Sequence, residues 1–533
     1  MSLLLGEPLQ YAETHFKFRL PWSLLYRPWP EIIVDAPFQF VPNVSPKIWI
    51  VARDAHRFPV TINSIEIKIQ HIGAIAEAKP KNIVLNINLK EQFEFHGVDI
   101  GPLRPGRYAI YCNITASKMR GGKKISRTFT RWNYPDIKPN PLSIHVLAEN
   151  PPKPQGFASG EMHCHTHYSA DHVEHGASPA VLQEAAKAVG LDFVNCTDHA
   201  YDFAFSAEDY TQEASSPLPR FESLKKETEA SNRSGIPLMI ASEEISVGNS
   251  KGENVHMTIL NPEGYLPGLG DCGRNWLDNH PTYKVEKILE MTNAHCFAAH
   301  PFQLMGILEK FIFRRGYWKH EDFAFKSKHP IRGIQFWNGP RDDGFDLGRE
   351  FWINELGQGN FLLPIGGNDA HGDLNDTTAV DLPLFSLKHT RDHVFGRVRT
   401  VVQISENKNF EEIDDPLAAL HQAFAGDNCY ITNGPALWWE RHTDLSGREC
   451  ITFFAKNTKD YGEGFKYIRI YGRKKLLNGK WSKNEEICMQ SQVAAKAETK
   501  IKMDFEDYAY LRAECETATG HYALTSAAAT LLR

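Results

Sequence analysis

Between Gly156 and Pro435 short apolar runs alternate with amphipathic helical stretches, and this alternation restricts the fold more than any other feature of the chain. Strands that alternate with helices point to a βα architecture. The first helix shows the grammar: Ser178 is placed to cap it, Pro179 takes the first helical position, and Gly190 stops it. Val181, Leu182, Ala185, Ala186 and Val189 line one face between them. Further helices are expected over 221–231, 285–294, 349–356 and 417–424, with strands over 191–196, 238–241, 255–260, 296–299, 333–337 and 361–366.

The flanks read differently. Residues 1 to about 35 are rich in aromatic residues and proline and read as an irregular arm. From Lys47 short alternating runs separated by turn signals predict an N-terminal β-sandwich over 36–150. The stiff linker Asn150-Pro151-Pro152-Lys153-Pro154 closes it, 156–435 form the central domain, and 436–533 return to strand texture as a smaller C-terminal β-domain. A chain of 533 residues is long enough for about three such units.

Polar residues that bind metals recur at the ends of the central strands. His163 and His165 are one residue apart at the end of an apolar run, so their side chains leave the same face. Later runs carry Asp198-His199, Glu243-Glu244, His256, His300, Asn338 and Asn368-Asp369-Ala370-His371. In a βα barrel the C-terminal strand ends converge on one mouth, so these remote residues meet there. Neutral imidazoles with a few carboxylates are what a divalent cation needs to generate hydroxide near neutral pH.

The motifs Gly160-Glu161-Met162-His163-Cys164-His165-Thr166, Thr197-Asp198-His199, Glu244-Ile245-Ser246, His256, Ala299-His300-Pro301 and Asn368-Asp369-Ala370-His371 resemble the PHP (polymerase and histidinol phosphatase) superfamily. Within it the CehA/McbA group is the most similar, through Tyr430-Ile431-Thr432-Asn433-Gly434-Pro435. The resemblance implies an α/β fold, a distorted (βα)7 PHP barrel, holding two or three divalent metal ions: zinc, manganese or iron. Its implied ligands are His163, His165, Asp171, His199, Glu244, His256, His300, Asp369 and His371, with Glu244, Asp369 and His199 assigned to catalysis. The group's usual Ser-Asp-Gly is altered here, with Ala170 in the Asp position and the carboxylate one residue later.

Neighbouring residues have two readings each. His167, Tyr168, Asn338 and Arg341 are candidates for substrate contact, or else loop residues; Asp198 either orients His199 or serves a strand-end turn. His295 precedes its strand and is expected to be structural. The aromatic and basic segment 302–330 is a candidate lid favouring an anionic substrate. The implied activity is hydrolysis by a metal-bridging hydroxide, with a phosphoester first and a carbamate, ester or amide second. The third reading is a non-catalytic, metal-stabilised scaffold for binding modules. A net charge of -6 and a pI near 6.5 give no footprint for nucleic acid. The expected partner is a small-molecule substrate; no apolar run spans a membrane, and no oligomeric state follows. Nine scattered cysteines fit reduced thiols and a cytoplasmic location.

Overall fold

The computed structural model describes residues 29–529 apart from 54, 57, 74–78, 134–136, 139, 170–175, 205–215, 273–278, 326, 373, 376–378, 383–384, 389–392, 477–480 and 492–497. In the N-terminal part, Glu31–Asp35, Lys47–Arg53 and Phe93–Asp99 form one sheet, while Gly106–Arg120 lies in a second with Val60–His71, Lys81–Leu89, Lys123–Thr130 and Leu142–Val146. Tyr108, Ile110, Cys112, Ile114 and Ala116 are buried at every second position of their strand. They share one core with Ile48 and Ile50 of the other sheet, as the alternating pattern requires.

The centre is built on strands β1 (Phe157–Cys164), β2 (Phe193–His199), β3 (Leu238–Gly248), β4 (Asn254–Leu260), β5 (His295–Ala299), β6 (Ile331–Asn338) and β7 (Leu363–Gly367), adjacent in sequence order. Helices α1 (Pro179–Val189), α2 (Leu218–Asn232), α3 (Val285–Met291), α4 (Asp343–Gln358) and α5 (Pro416–Ala425) lie between or after them. Ser178 accepts from the Val181 N–H and Gly190 caps α1 in the left-handed region.

The expected distorted (βα)7 barrel is not what the chain forms. Strand predominates, with 29 strands against eight α-helices among the described residues. The seven central strands belong to one mixed 14-stranded sheet whose path does not return on itself. β1 is flanked on its far side by β8 (Arg399–Gln403), antiparallel, and pairs with the segment after β7 in the isolated Cys164–Ala370 bridge rather than in a ladder. β4 is antiparallel to both of its neighbours, β3 and β5. The physical reason is the turn after β3: Gly252 takes φ +75° and the chain comes straight back as β4, leaving no room for a crossover helix.

Strands of the C-terminal segment continue the central sheet. β9 (Cys429–Thr432) joins β8 to β13 (Tyr522–Thr525), and the sheet runs on through β12 (Tyr508–Thr517), β10 (Phe465–Lys474) and β11 (Glu486–Ser491). A separate three-stranded sheet, Ala436–Thr443, Glu449–Lys456 and Glu498–Asp504, packs Leu437, Phe453 and Ile501 against Ile468, Leu511 and Ala523. The nine cysteines are free, seven of them buried. No helix among the described residues is long and apolar enough to cross a membrane.

Candidate metal centre

Eight side chains meet at one pole of the central strands. His163 and His165 come from the end of β1 and the residue just beyond it, His199 from the end of β2 and Glu244 from β3. His256 lies near the start of antiparallel β4, so it reaches the same pole. Ser246 faces His256 across the hairpin, which sets Glu244 and His256 diagonally on one face. His300 follows β5; Asp369 and His371 follow β7. Both His300 (φ 25°) and Asp369 (φ 52°) take left-handed backbone, which costs roughly 1–3 kcal/mol each in a non-glycine residue and needs firm surroundings. Gly367 lets β7 approach: a Cβ there would stand 2.9 Å from the His163 Cβ and 3.0 Å from its N.

Glu244 organises the cluster because its two oxygens face different histidines. Oε1 lies 2.9 Å from His256 Nδ1 and 3.0 Å from His300 Nε2. Oε2 lies 3.0 Å from His199 Nδ1, 3.3 Å from His163 Nε2 and 3.5 Å from His165 Nε2. His163 and His165 bring their Nε2 atoms within 3.2 Å of each other, and Asp369 Oδ1 stands 3.3 Å from the first and 3.1 Å from the second. Donor atoms around a tetrahedral ion with bonds near 2.0–2.1 Å are separated by about 3.3 Å. The five separations among His163, His165, Glu244 and Asp369 match that figure.

The histidines are oriented by partners on their outer nitrogens. Asp369 Oδ2 accepts from Asn338 Nδ2 (3.1 Å), and Asn338 Oδ1 accepts from Gln335 Nε2 (2.9 Å). Gln335 Oε1 is thereby left to accept from His163 Nδ1 at 2.7 Å, which puts the lone pair of neutral His163 on the inward Nε2. Ser169 donates to Asp198 (2.8 Å) and faces His165 Nδ1 at 3.1 Å, fixing the same tautomer there. His256 Nε2 meets Asp271 Oδ2 at 2.8 Å, so its Nδ1 is the inward nitrogen, facing Glu244 Oε1. Asp271 also accepts from Arg315 Nε (2.6 Å) and from the Ser246 hydroxyl. Such outer partners are how proteins aim metal ligands.

The charges follow from this crowding. Burial disfavours a charged His163, but Glu244 and Asp369 outweigh it and raise its pKa to about 9. His256 is raised against burial to about 10 by Glu244 and Asp271. Burial, with His371 and His199, holds His165 well below its ordinary value, and burial lowers His300. Glu244 and Asp369 are held far below the carboxylate range despite burial, Glu244 by His163, His256 and His199 and Asp369 chiefly by His163 and His165. Glu244 Oε2 is buried and accepts no hydrogen bond. A divalent cation would satisfy it, and the donor set fits one in three groups: His163, His165, Glu244 and Asp369; Glu244, His256 and His300; His165, His199 and His371.

The remaining candidates lie elsewhere. Asp171 is outside the described residues. Asn338 positions Asp369 and Gln335, and Asp198 accepts from the Thr166 and Ser169 backbone and hydroxyls, bracing the loop after β1. His167 turns away toward Phe93 and Phe95, and the Tyr168 hydroxyl donates to Glu227 at 2.7 Å. Arg341 stacks on Tyr522 (4.1 Å) and faces Glu516. Glu243 points to the Leu266 N–H rather than to the histidines. His295 meets the His421 carbonyl at 2.8 Å, a structural contact. The segment 302–330 is fastened rather than free: Trp318 is buried, the Asn254 N–H bonds the Arg314 carbonyl, and Arg315 is held at Asp271.

Gln335, Asp271, Ser169 and Glu161 escaped sequence reasoning. Glu161 is fully buried beneath the site and accepts from the backbone N–H of His163, Asn368 and Gly396. Gln335 and Glu161 did leave a signal, each being a lone polar residue inside an apolar strand; Asp271, on a loop beyond the hairpin, left none.

The site defines a class: a buried polyhistidine centre whose carboxylate is shared between ligand groups. No family model matches the chain, and no curated protein matches it. Solved structures aligned with it include a β-D-mannosidase from Dictyoglomus thermophilum (10% identity, 94% of this chain, 66% of that one, TM-score 0.20). A Bacteroides uniformis β-glucuronidase aligns at 10% identity over 93% of this chain and 60% of that one, TM-score 0.16. A Paenibacillus cycloisomaltooligosaccharide glucanotransferase aligns at 8% identity over 93% and 69%, TM-score 0.17. The chain spans about two thirds or less of the first two, and at such TM-scores no fold or activity is taken from any of them.

Proposed function

We propose that the protein is a metal-dependent hydrolase of the kind the PHP-like motifs imply, acting first on phosphoesters. The observation that carries this reading is the division of Glu244, with Oε1 toward His256 and His300 and Oε2 toward His163, His165 and His199. One carboxylate so placed would offer an oxygen to each of two ligand groups. Bound there, divalent cations would polarise the scissile phosphoryl or acyl group and activate water. A purely structural ion would need one closed set of four ligands, whereas the Glu244, His256, His300 group supplies three and leaves a position open.

The chain's own residues do the rest. Gln335, Ser169 and Asp271 keep the inward imidazole nitrogens unprotonated in the neutral state. Glu244 and Asp369 offset cationic charge in a pocket from which water is largely excluded. Arg315, paired with Asp271, stands with His256 and His300 on the wall of a small cleft. Hydrolysis of a carbamate, ester or amide is the second reading, since the same groups would stabilise charge on an acyl oxygen.

Metal analysis of the purified protein, followed by turnover of phosphomonoesters, phosphodiesters and aryl carbamates before and after chelation, tests the proposal. Two or more ions per chain with chelator-sensitive phosphoester cleavage is the expected result. Activity confined to carbamates or esters selects the second reading, and bound metal without any turnover overturns both.

A further inference from the structure

At the opposite pole of the same strands lies a cavity of about 670 Å³, within the usual range for small-molecule sites. It is bounded by the start of β1, the approaches to β2 and β3, the linker after the N-terminal sheets and the segment following β9. Ser159 stands four residues before His163 and six before His165, so roughly 13–20 Å of strand separates the cavity from the histidines. The two are distinct sites.

Three adjacent strands turn one face toward it. Ser159 of β1 and Tyr430 of β9 both stand opposite Val401 of β8, and Arg399 lies two residues before Val401. Ser159, Val401, Arg399 and Tyr430 therefore share a face. Arg399 is 5% exposed, and its Nε and one terminal nitrogen donate to the carbonyls of Gly396 (3.1 Å) and Val189 (2.8 Å). No carboxylate among the described residues pairs with it. A guanidinium has five N–H donors, and a buried charge without a counter-charge is costly.

The Ser159 hydroxyl is buried with no hydrogen-bond partner. Two further cations line the cavity. Lys153 is neutralised by Asp192, while Lys187, at the end of α1, pairs with no carboxylate among the described residues. Glu411 is the other acid of the wall; Pro151, Ile236 and Phe410 give it an apolar part.

From this we infer that the cavity binds a small organic anion, its carboxylate or phosphoryl oxygens taken by Arg399, Ser159 and Lys187 and its body resting on the apolar wall. The oxyanion is common to both ligand sources, and the probes separate them. Isothermal titration of the full chain with sodium phosphate and with sodium benzoate, at constant ionic strength, measures binding directly. One saturable site per chain is expected for at least one probe: phosphate alone indicates a phosphorylated ligand, benzoate alone a carboxylic acid. Lys187→Met and Ser159→Ala are each expected to weaken that binding at least tenfold. Lys187 is exposed on its helix and Ser159→Ala removes an unsatisfied hydroxyl, so neither variant threatens the fold.

Chelation and His165→Ala, which act on the histidine cluster, are expected to leave the binding unchanged. Absence of saturable heat with both probes, equal affinity in the two cavity variants, or loss of binding on chelation would each overturn the inference; the last would place the anion at the histidines.

Discussion

Asp271→Asn isolates one half of the histidine cluster. The native carboxylate accepts at once from His256 Nε2 (2.8 Å), Arg315 Nε (2.6 Å) and the Ser246 hydroxyl while almost wholly buried. An amide of the same shape can set its oxygen in the Oδ2 position and its NH2 against the Ser246 hydroxyl, keeping both N–H partners but losing the carboxylate's charge. Two hydrogen bonds to a carboxylate, worth about 1.5–3 kcal/mol each, fall toward the ordinary range of about 0.5–1.5 kcal/mol each, so the net loss of stability is about 2 kcal/mol.

The larger effect is on the ion. With a neutral partner His256 holds its proton on Nε2 less firmly, and mutation of such an outer partner costs about 10–100-fold in metal affinity, or about 1.4–2.8 kcal/mol. Chelator competition with zinc, read by ion counts per chain, is expected to show one weakened site, that of Glu244, His256 and His300. The site of His163, His165, Glu244 and Asp369 should stay within about twofold of the native protein. Unchanged affinity at every site would refute the reasoning, as would equal weakening of all of them with circular dichroism still native.

Gln335→Leu cuts the relay from Asp369 through Asn338 to His163, and about tenfold weaker binding at the His163 site is expected in the same competition assay; unaltered binding would show that His163 needs no such partner. Gly367→Ala places a Cβ 2.9 Å from that of His163 and is expected to cost about 1–3 kcal/mol, read as a lower urea midpoint, with metal content falling alongside it. Burial, with His421, Arg332 and His329 nearby, holds His295 below its ordinary value. The unfolded chain then binds more protons below about pH 6.5, so this histidine's contribution is present above that pH and lost as pH falls through it. His295→Gln should lose less stability than the native protein between pH 7.5 and 5.5, measured by urea unfolding; an equal or greater loss would remove His295 as a source of acid sensitivity.

The parts of the site that follow from alternation could be read from the sequence. His163 and His165 share a face because one residue separates them on a strand, and the choice of Glu244 over Glu243 decides which face carries the carboxylate. Strand direction could not be read, because period-two alternation is the same in parallel and antiparallel neighbours. Thus β4 passed for one more forward strand, although Gly248 to Gly252 fold it back on β3. The merging of the C-terminal strands into the central sheet rests on pairings such as Ile431 with Leu524, far apart in the chain.

Residues at the mouth were harder to assign. Asn338, Arg341, His167 and Tyr168 follow or flank strand ends, yet contacts with Gln335, Tyr522, Phe95 and Glu227 draw them away from an open pocket. Such contacts lie between elements and leave no periodic trace.

The amide relay from His163 through Gln335 and Asn338 to Asp369 runs entirely between protein atoms. On the proposed function these contacts would hold the cage in place without an ion, and the ordering cost would be met during folding rather than on capture. A rigid, nitrogen-rich enclosure of this kind discriminates by refusing to adapt. Calcium and magnesium, which need several oxygen donors at longer or strictly octahedral spacing, would find little to hold them, and the borderline transition metals would be retained.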